Sequence, residues 1–145
     1  MIPELGAEGL LPEGIHVGTL DEIQDRFGWN LRRLQLIRGI GDIARLLEAA
    51  GCARLWIDGS FVTAKNFPGD VDMTWDPAGV DIDALPPALL ALDAPRLAQK
   101  VLWGADILPN ITEAGSGQPF LDFFQQDPDT GGNRGIVLLE MGGAS

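Results

Sequence analysis

The chain has 145 residues, enough for one domain with a substantial core and too few for two. Apolar residues make up 46% of it, and ten basic against twenty-one acidic residues leave a net charge of −11. That balance argues against non-specific binding to duplex DNA, no apolar run reaches the ~20 residues of a membrane span, and a lone Cys52 with a lone His16 excludes an internal disulfide and disfavours zinc.

Residues 1–14 are rich in Gly, Pro and Glu without periodicity and read as an irregular arm. The opening Met1-Ile2-Pro3-Glu4 lacks the basic start of a secretory signal; with the single cysteine this points to the cytoplasm. Thr19-Leu20-Asp21-Glu22 is a capping box that opens a helix to about Phe27, stopped by Gly28. Asn30 can cap a longer helix to about Ala50, in which Leu31, Leu34, Ile37, Ile40, Ala44 and Leu47 recur at helical spacing. Gly51 is a good C-terminal stop, while Gly39 and Gly41 weaken this helix or permit close packing. Arg32, Arg33, Arg38, Arg45 and Arg54 concentrate basic residues in this region and read as a solvated helix face.

Ala53 to Ile57 is a buried strand ending at Gly59-Ser60, and Thr63 to Gly69 is a loop closed by the turn signal Pro68-Gly69. Val71 to Trp75 is a second strand. Asp81 to Leu92 looks helical, with Pro86-Pro87 marking its first turn or a break, and Pro95 to Val101 is another short helix. Asp106 to Leu108 is a brief strand, Phe120 to Gln125 an apolar segment carrying Asp122, and Gln126 to Arg134 a run of turn residues. Ile136 to Met141 is the final strand, and residues 142–145 a loose tail. Strands alternating with helices predict one α/β (α+β) domain over residues 15–141, with a mixed β-sheet flanked by helices.

Chemistry concentrates in one stretch. Gly59-Ser60 is followed by the nine residues Phe61 to Gly69, and then by Asp70-Val71-Asp72. On a strand, residues i and i+2 share a face, so Asp70 and Asp72 present two carboxylates with Val71 turned into the core. Two such charges repel unless a cation sits between them, and Mg2+ (or Mn2+) is the hard, oxygen-seeking choice. Gly59 lets backbone amides approach a phosphate, the Ser60 hydroxyl can donate to one, and Lys65 can reach a β- or γ-phosphate.

This pattern resembles the nucleotidyltransferase superfamily that includes DNA polymerase β and small bacterial nucleotidyltransferases. The resemblance rests on Ile57-Asp58-Gly59-Ser60, the short gap, and Asp70-Val71-Asp72-Met73. Gly14-Ile15-His16 through Ile23 and Leu55 through Thr63 also look like small bacterial proteins assigned to that superfamily. The resemblance implies a minimal nucleotidyltransferase fold and two metal ions that clamp the attacking and leaving oxygens of an in-line displacement. It implies an NTP substrate and a third acid from a neighbouring strand. Asp122, a lone acid among Phe120, Leu121, Phe123 and Phe124, is the first choice, and Asp106 the substitute. The expected set is thus Asp70, Asp72 and Asp122 for metal and catalysis, with Gly59, Ser60 and Lys65 for the nucleotide. Some small members carry an arginine three residues after the serine, where this chain has Thr63.

The acceptor implied is a hydroxyl of a protein or RNA, in a toxin–antitoxin or phage-defence setting, with a cognate partner protein or a homodimer supplying what so short a chain lacks. Two other classes stay open: a non-catalytic partner on the same fold, such as an antitoxin, and an acidic mimic of nucleic acid. Asp58 can face the pocket or cap the next turn. His16 reads as a packing or capping residue, Trp56 and Trp75 as core, Arg134 as a surface turn residue, and Cys52 as a small buried apolar residue.

Overall fold

The capping box forms as its spacing requires. In the computed structural model, which describes residues 1–90, 96–110 and 135–141, the Thr19 side chain accepts from the Glu22 N–H at 3.1 Å. The Glu22 carboxylate accepts in return from the Thr19 N–H at 3.2 Å. This opens helix α1, Leu20–Phe27. The Asn30 side chain accepts from the Arg33 N–H at 2.9 Å and opens helix α2, Leu31–Ala49, which buries Leu36, Ile37, Ile40, Ile43, Ala44 and Leu47 along one face.

Five strands form one sheet: β1 Ile15–Gly18, β2 Arg54–Asp58, β3 Val71–Trp75, β4 Ala105–Pro109 and β5 Ile136–Glu140, in the order β1-β5-β2-β3-β4. The inner pairs β5–β2 and β2–β3 are antiparallel and the outer pairs β1–β5 and β3–β4 parallel, so the sheet is mixed. Alternation divides its side chains. Leu55, Ile57, Val71, Met73, Ile107, Val137 and Leu139 join Ile23, Phe27, Ile40 and Leu47 of the helices in the main core. Trp56, Ile136 and Leu138 form a smaller cluster on the opposite face. The chain is an α/β protein with a mixed sheet, as predicted.

Some elements differ from expectation. Strand β1 follows directly on the irregular arm, over residues to which the sequence assigns no element, because its Ile15 and Val17 are exposed and its four residues carry little pattern. Over the described part of the helix expected at Asp81–Leu92, residues 81–90, two 3-10 turns stand instead, Ile82–Ala84 and Pro87–Leu90. Pro86 and Pro87 lack N–H donors, and a residue before proline avoids the helical region; Leu85 accordingly sits at φ −90°, ψ 143°. Helix α3, Leu97–Trp103, starts two residues later than predicted, after Arg96 in the left-handed region at φ 53°. The Phe120–Gln125 segment, the Gln126–Arg134 turn and the tail lie outside the described residues.

The arginines of α2 are not a uniformly solvated face. Arg33 is fully buried. Its guanidinium donates five hydrogen bonds to four backbone carbonyls: Phe27 at 3.2 Å, Phe61 at 2.7 Å, Thr63 at 2.6 Å, and Lys65 twice, at 3.1 and 2.6 Å. It also lies over the Trp29 ring, 3.7 Å from the centroid. Desolvation lowers its pKa to about 10, which leaves it charged at neutral pH. Removing the guanidinium leaves buried carbonyls without donors, at roughly 1–3 kcal/mol for each group stranded. Arg33→Met is expected to lower the unfolding free energy by about 3 kcal/mol or more, measured by urea denaturation with tryptophan fluorescence. Arg45, exposed and paired with Asp42, is the control; Arg45→Met should change it by less than about 0.5 kcal/mol.

Candidate functional site

Strands β2 and β3 are antiparallel neighbours joined by residues 59–70. The connection opens with Gly59 at φ +78°, a left-handed conformation that side chains disfavour. A Cβ there would also collide with the carboxylate of Asp72, so Gly59 is required both for its backbone and for the room it leaves. Residues Gly59–Val62 form one 3-10 turn, closed by Thr63, whose hydroxyl donates to the Ser60 carbonyl at 2.7 Å.

The start of α2 holds the rest of the connection. The Trp29 Nε1–H donates to Asn66 Oδ1 at 3.1 Å, and Asn30 Nδ2 to the Asn66 carbonyl at 2.6 Å. Arg32 donates to the carbonyls of Pro68, at 3.2 Å, and Gly69. With the Arg33 bonds, carbonyls from Phe61 to Gly69 are gathered onto one helix end, and this delivers Asp70 to the start of β3.

At that end of the sheet three aspartates fall into one row. Asp58 of β2 is paired in register with Asp72 of β3, and Asp72 with Asp106 of β4. Paired residues on adjacent strands share a face, so the three carboxylates stand on the same side of the sheet. Asp58 is buried, and Asp72 and Asp106 are half-buried. Asp70 precedes the row by two residues, with Val71 turned into the core. Like charges directly opposite each other are destabilising, and α3 supplies two counter-charges. Arg96 pairs with Asp106, and Lys100 Nζ lies 3.8 Å from Asp70 Oδ2. Among the described residues no three His, Cys, Asp or Glu side chains converge closely enough to hold a metal ion; the acids form a line rather than a cage.

The structure therefore brings together Asp70, Asp72 and Gly59 from the predicted set, and adds Asp106 as the acid beside Asp72. Asp122 lies outside the described residues. Ser60 is half-buried in the 3-10 turn. Lys65 contributes its carbonyl to Arg33 while its side chain is exposed. Asp58 makes no side-chain capping bond to the turn that follows and belongs to the acidic row. Arg96 and Lys100 were missed, although their i, i+4 spacing on a predicted helix was the available signal.

A family model matches residues 3–140. The chain belongs to the family DUF6932. Its description is a family of unknown function, so membership assigns no chemistry to the row of acids. Searches of curated proteins and of solved structures each return no match.

Residues outside the row behave as packing groups. His16 Nε2 donates to the Pro12 carbonyl at 2.7 Å, and Trp56 and Trp75 are buried in the two apolar clusters. Cys52 is buried; burial raises its thiol pKa, and the thiol donates to the Arg54 carbonyl at 3.3 Å.

Gly59→Ala is expected to cost about 1–3 kcal/mol from the positive φ and the clash with Asp72. Gly69→Ala, where an added Cβ meets nothing within 4 Å, should stay within about 0.5 kcal/mol. Thermal unfolding of the two variants beside the wild type checks the contrast.

Proposed function

We propose that the protein is a metal-dependent nucleotidyltransferase that moves a nucleoside monophosphate from an NTP to a hydroxyl of a protein or RNA acceptor. The observation that carries this reading is the register of Asp72 with Asp106, beside Gly59 packed against the Asp72 carboxylate. Asp106 takes the part of third acid in this reading, in place of Asp122.

The donor set suits a hard divalent cation, because Asp70, Asp72 and Asp106 offer carboxylate oxygens and no sulfur or imidazole. They are spread over two neighbouring strands, with Lys100 paired to Asp70 and Arg96 to Asp106, and an arriving ion would gather them around itself. Bound Mg2+ or Mn2+ would supply charge neutralisation and Lewis acidity at the α-phosphate. Ser60 and the backbone after Gly59 would orient the phosphates. The Asp106 carboxylate would accept the proton of the acceptor hydroxyl as its oxygen bonds to the α-phosphorus. The bond from that phosphorus to the bridging oxygen then breaks, and pyrophosphate leaves. A partner protein or a second copy would grip the acceptor, and the resemblance to small bacterial nucleotidyltransferases supports a toxin–antitoxin or phage-defence role. Among the described residues no helix is long and apolar enough to cross a membrane.

The two lysine and arginine pairs favour one alternative, a non-catalytic binding protein whose acids are neutralised internally. Calorimetry with ATP, GTP, CTP and UTP, with and without Mg2+, separates the two. The enzyme reading expects Mg2+-dependent binding of at least one NTP, abolished in Asp70→Asn/Asp72→Asn. Asp106→Asn should retain much of that binding and lose transfer. Absence of Mg2+-dependent binding in well-folded wild type would turn the assignment to the non-catalytic partner.

A further inference from the structure

The chain carries a net charge of −11, yet one cleft carries three basic side chains, one of which, Lys100, also pairs with Asp70. It lies between α2 and α3, has a volume of about 230 Å3, and carries Arg32 and Arg38 from α2 and Lys100 from α3. Among the described residues lining it the acid is Asp42, whose charge Arg45 already offsets. At the floor of the cleft α3 is held close to α2: a Cβ on Gly39 would collide with the Trp103 carbonyl. On its other side α3 is fixed by the buried Gln99, which donates to the Ala88 carbonyl at 3.1 Å and accepts from the Ile107 N–H at 2.8 Å. Lys100 therefore stands on an anchored helix between two destinations, the cleft and Asp70.

Its bond to Asp70 is easily given up. The separation of 3.8 Å is too long for a good hydrogen bond, and both side chains are about one-third exposed, at 32% and 35%. Ion pairs this accessible hold weakly. The neighbouring Arg96–Asp106 pair is closer and less exposed, and Arg96 is committed by its left-handed backbone at the start of α3.

We propose that the α2–α3 cleft is a binding site for a phosphate chain, and that Lys100 is an exchange residue serving it. Without metal, Lys100 neutralises Asp70. A divalent cation held by Asp70 and Asp72 repels the ammonium, which turns into the cleft. There it joins Arg38 to hold the β- and γ-phosphates of an NTP, while Arg32, whose guanidinium stays bonded to the Pro68 and Gly69 carbonyls, adds positive charge to the wall. The exchange rests on the nucleotidyltransferase reading; the anion site itself rests on the cleft.

Two separate titrations test this, on wild type, Lys100→Gln, Arg38→Gln and Asp72→Asn, each first checked for a native thermal transition. In EDTA, inorganic tripolyphosphate is titrated by calorimetry. Wild type should bind, Arg38→Gln should weaken binding roughly tenfold or more, Lys100→Gln should weaken it by a smaller factor because without metal Lys100 is shared with Asp70, and Asp72→Asn should not weaken it. Without phosphate, Mn2+ is titrated and free ion read by electron paramagnetic resonance. Lys100→Gln should bind Mn2+ several-fold more tightly than wild type, and Asp72→Asn should lose it. A general structural defect would weaken both ligands, so opposite signs in Lys100→Gln identify the exchange. Equal tripolyphosphate affinity in wild type, Lys100→Gln and Arg38→Gln, or no binding at all, overturns the anion site. Tripolyphosphate binding that follows the expected pattern, with no Mn2+ uptake by any variant, keeps the anion site and overturns the metal reading and the exchange.

Discussion

The buried guanidinium of Arg33 is the interaction on which the site depends. Placing a charge inside a domain is costly, and the usual remedy is a carboxylate partner. Here the remedy includes four backbone carbonyls and an aromatic face. Carbonyls are fixed by the path of the chain, so satisfying five N–H bonds specifies that path. The turn after β2, the end of α1 and the middle of the connecting loop are set by one side chain. Arg32, Asn30 and Trp29 extend the arrangement to Gly69. Asp70 and Asp72 then emerge at a defined height on β3 without any regular structure in the loop itself.

The acidic row poses the opposite problem. Three carboxylates in register on adjacent strands accumulate charge where the sheet has no intrinsic means of dispersing it. The compensation comes from α3, and its reach depends on features far from the charges. A missing side chain at Gly39 brings α3 against α2, and Gln99 ties it to β4. The two arrangements are complementary. A buried cation organises the loop from one side, and accessible cations balance the sheet end from the other.

Much of this was legible in the sequence where local chemistry dictates structure. The capping box at Thr19, the cap at Asn30 and strand β3 appear where spacing places them, since those signals involve contiguous residues. The same holds for the Gly59-Ser60 turn and the i, i+2 acids. What escaped was long-range. Nothing near Arg33 distinguishes it from Arg32 or Arg38; its burial follows from carbonyls about thirty residues away in the chain, a separation no periodicity encodes. The choice of Asp106 as neighbour of Asp72 depends on the β3–β4 register, which a three-residue strand pattern with two apolar positions leaves open. Strand β1 escapes because four residues with exposed Ile15 and Val17 carry no burial pattern until β5 pairs with them. The helix expected over Asp81–Leu92 fails for a local reason: two consecutive prolines outweigh the apolar spacing around them.

The strand order also shapes how the molecule comes into being. β5, last of the described strands to leave the ribosome, does not sit at the rim but between β1 and β2. Until it is synthesised, β1 has no partner among the described strands, and β2 presents to them an open edge that carries Leu55, Trp56 and Ile57. A nascent chain therefore holds β2, β3 and β4 as an incomplete sheet with an adhesive flank, and waits for Ile136–Glu140 to seal it. Pairing β1 with β5 closes a loop from Ile15 to Ile136, so the final step is also the one with the largest loop to order. Among the described strands, β2 is thus an edge in the partly folded chain and an interior strand in the finished sheet.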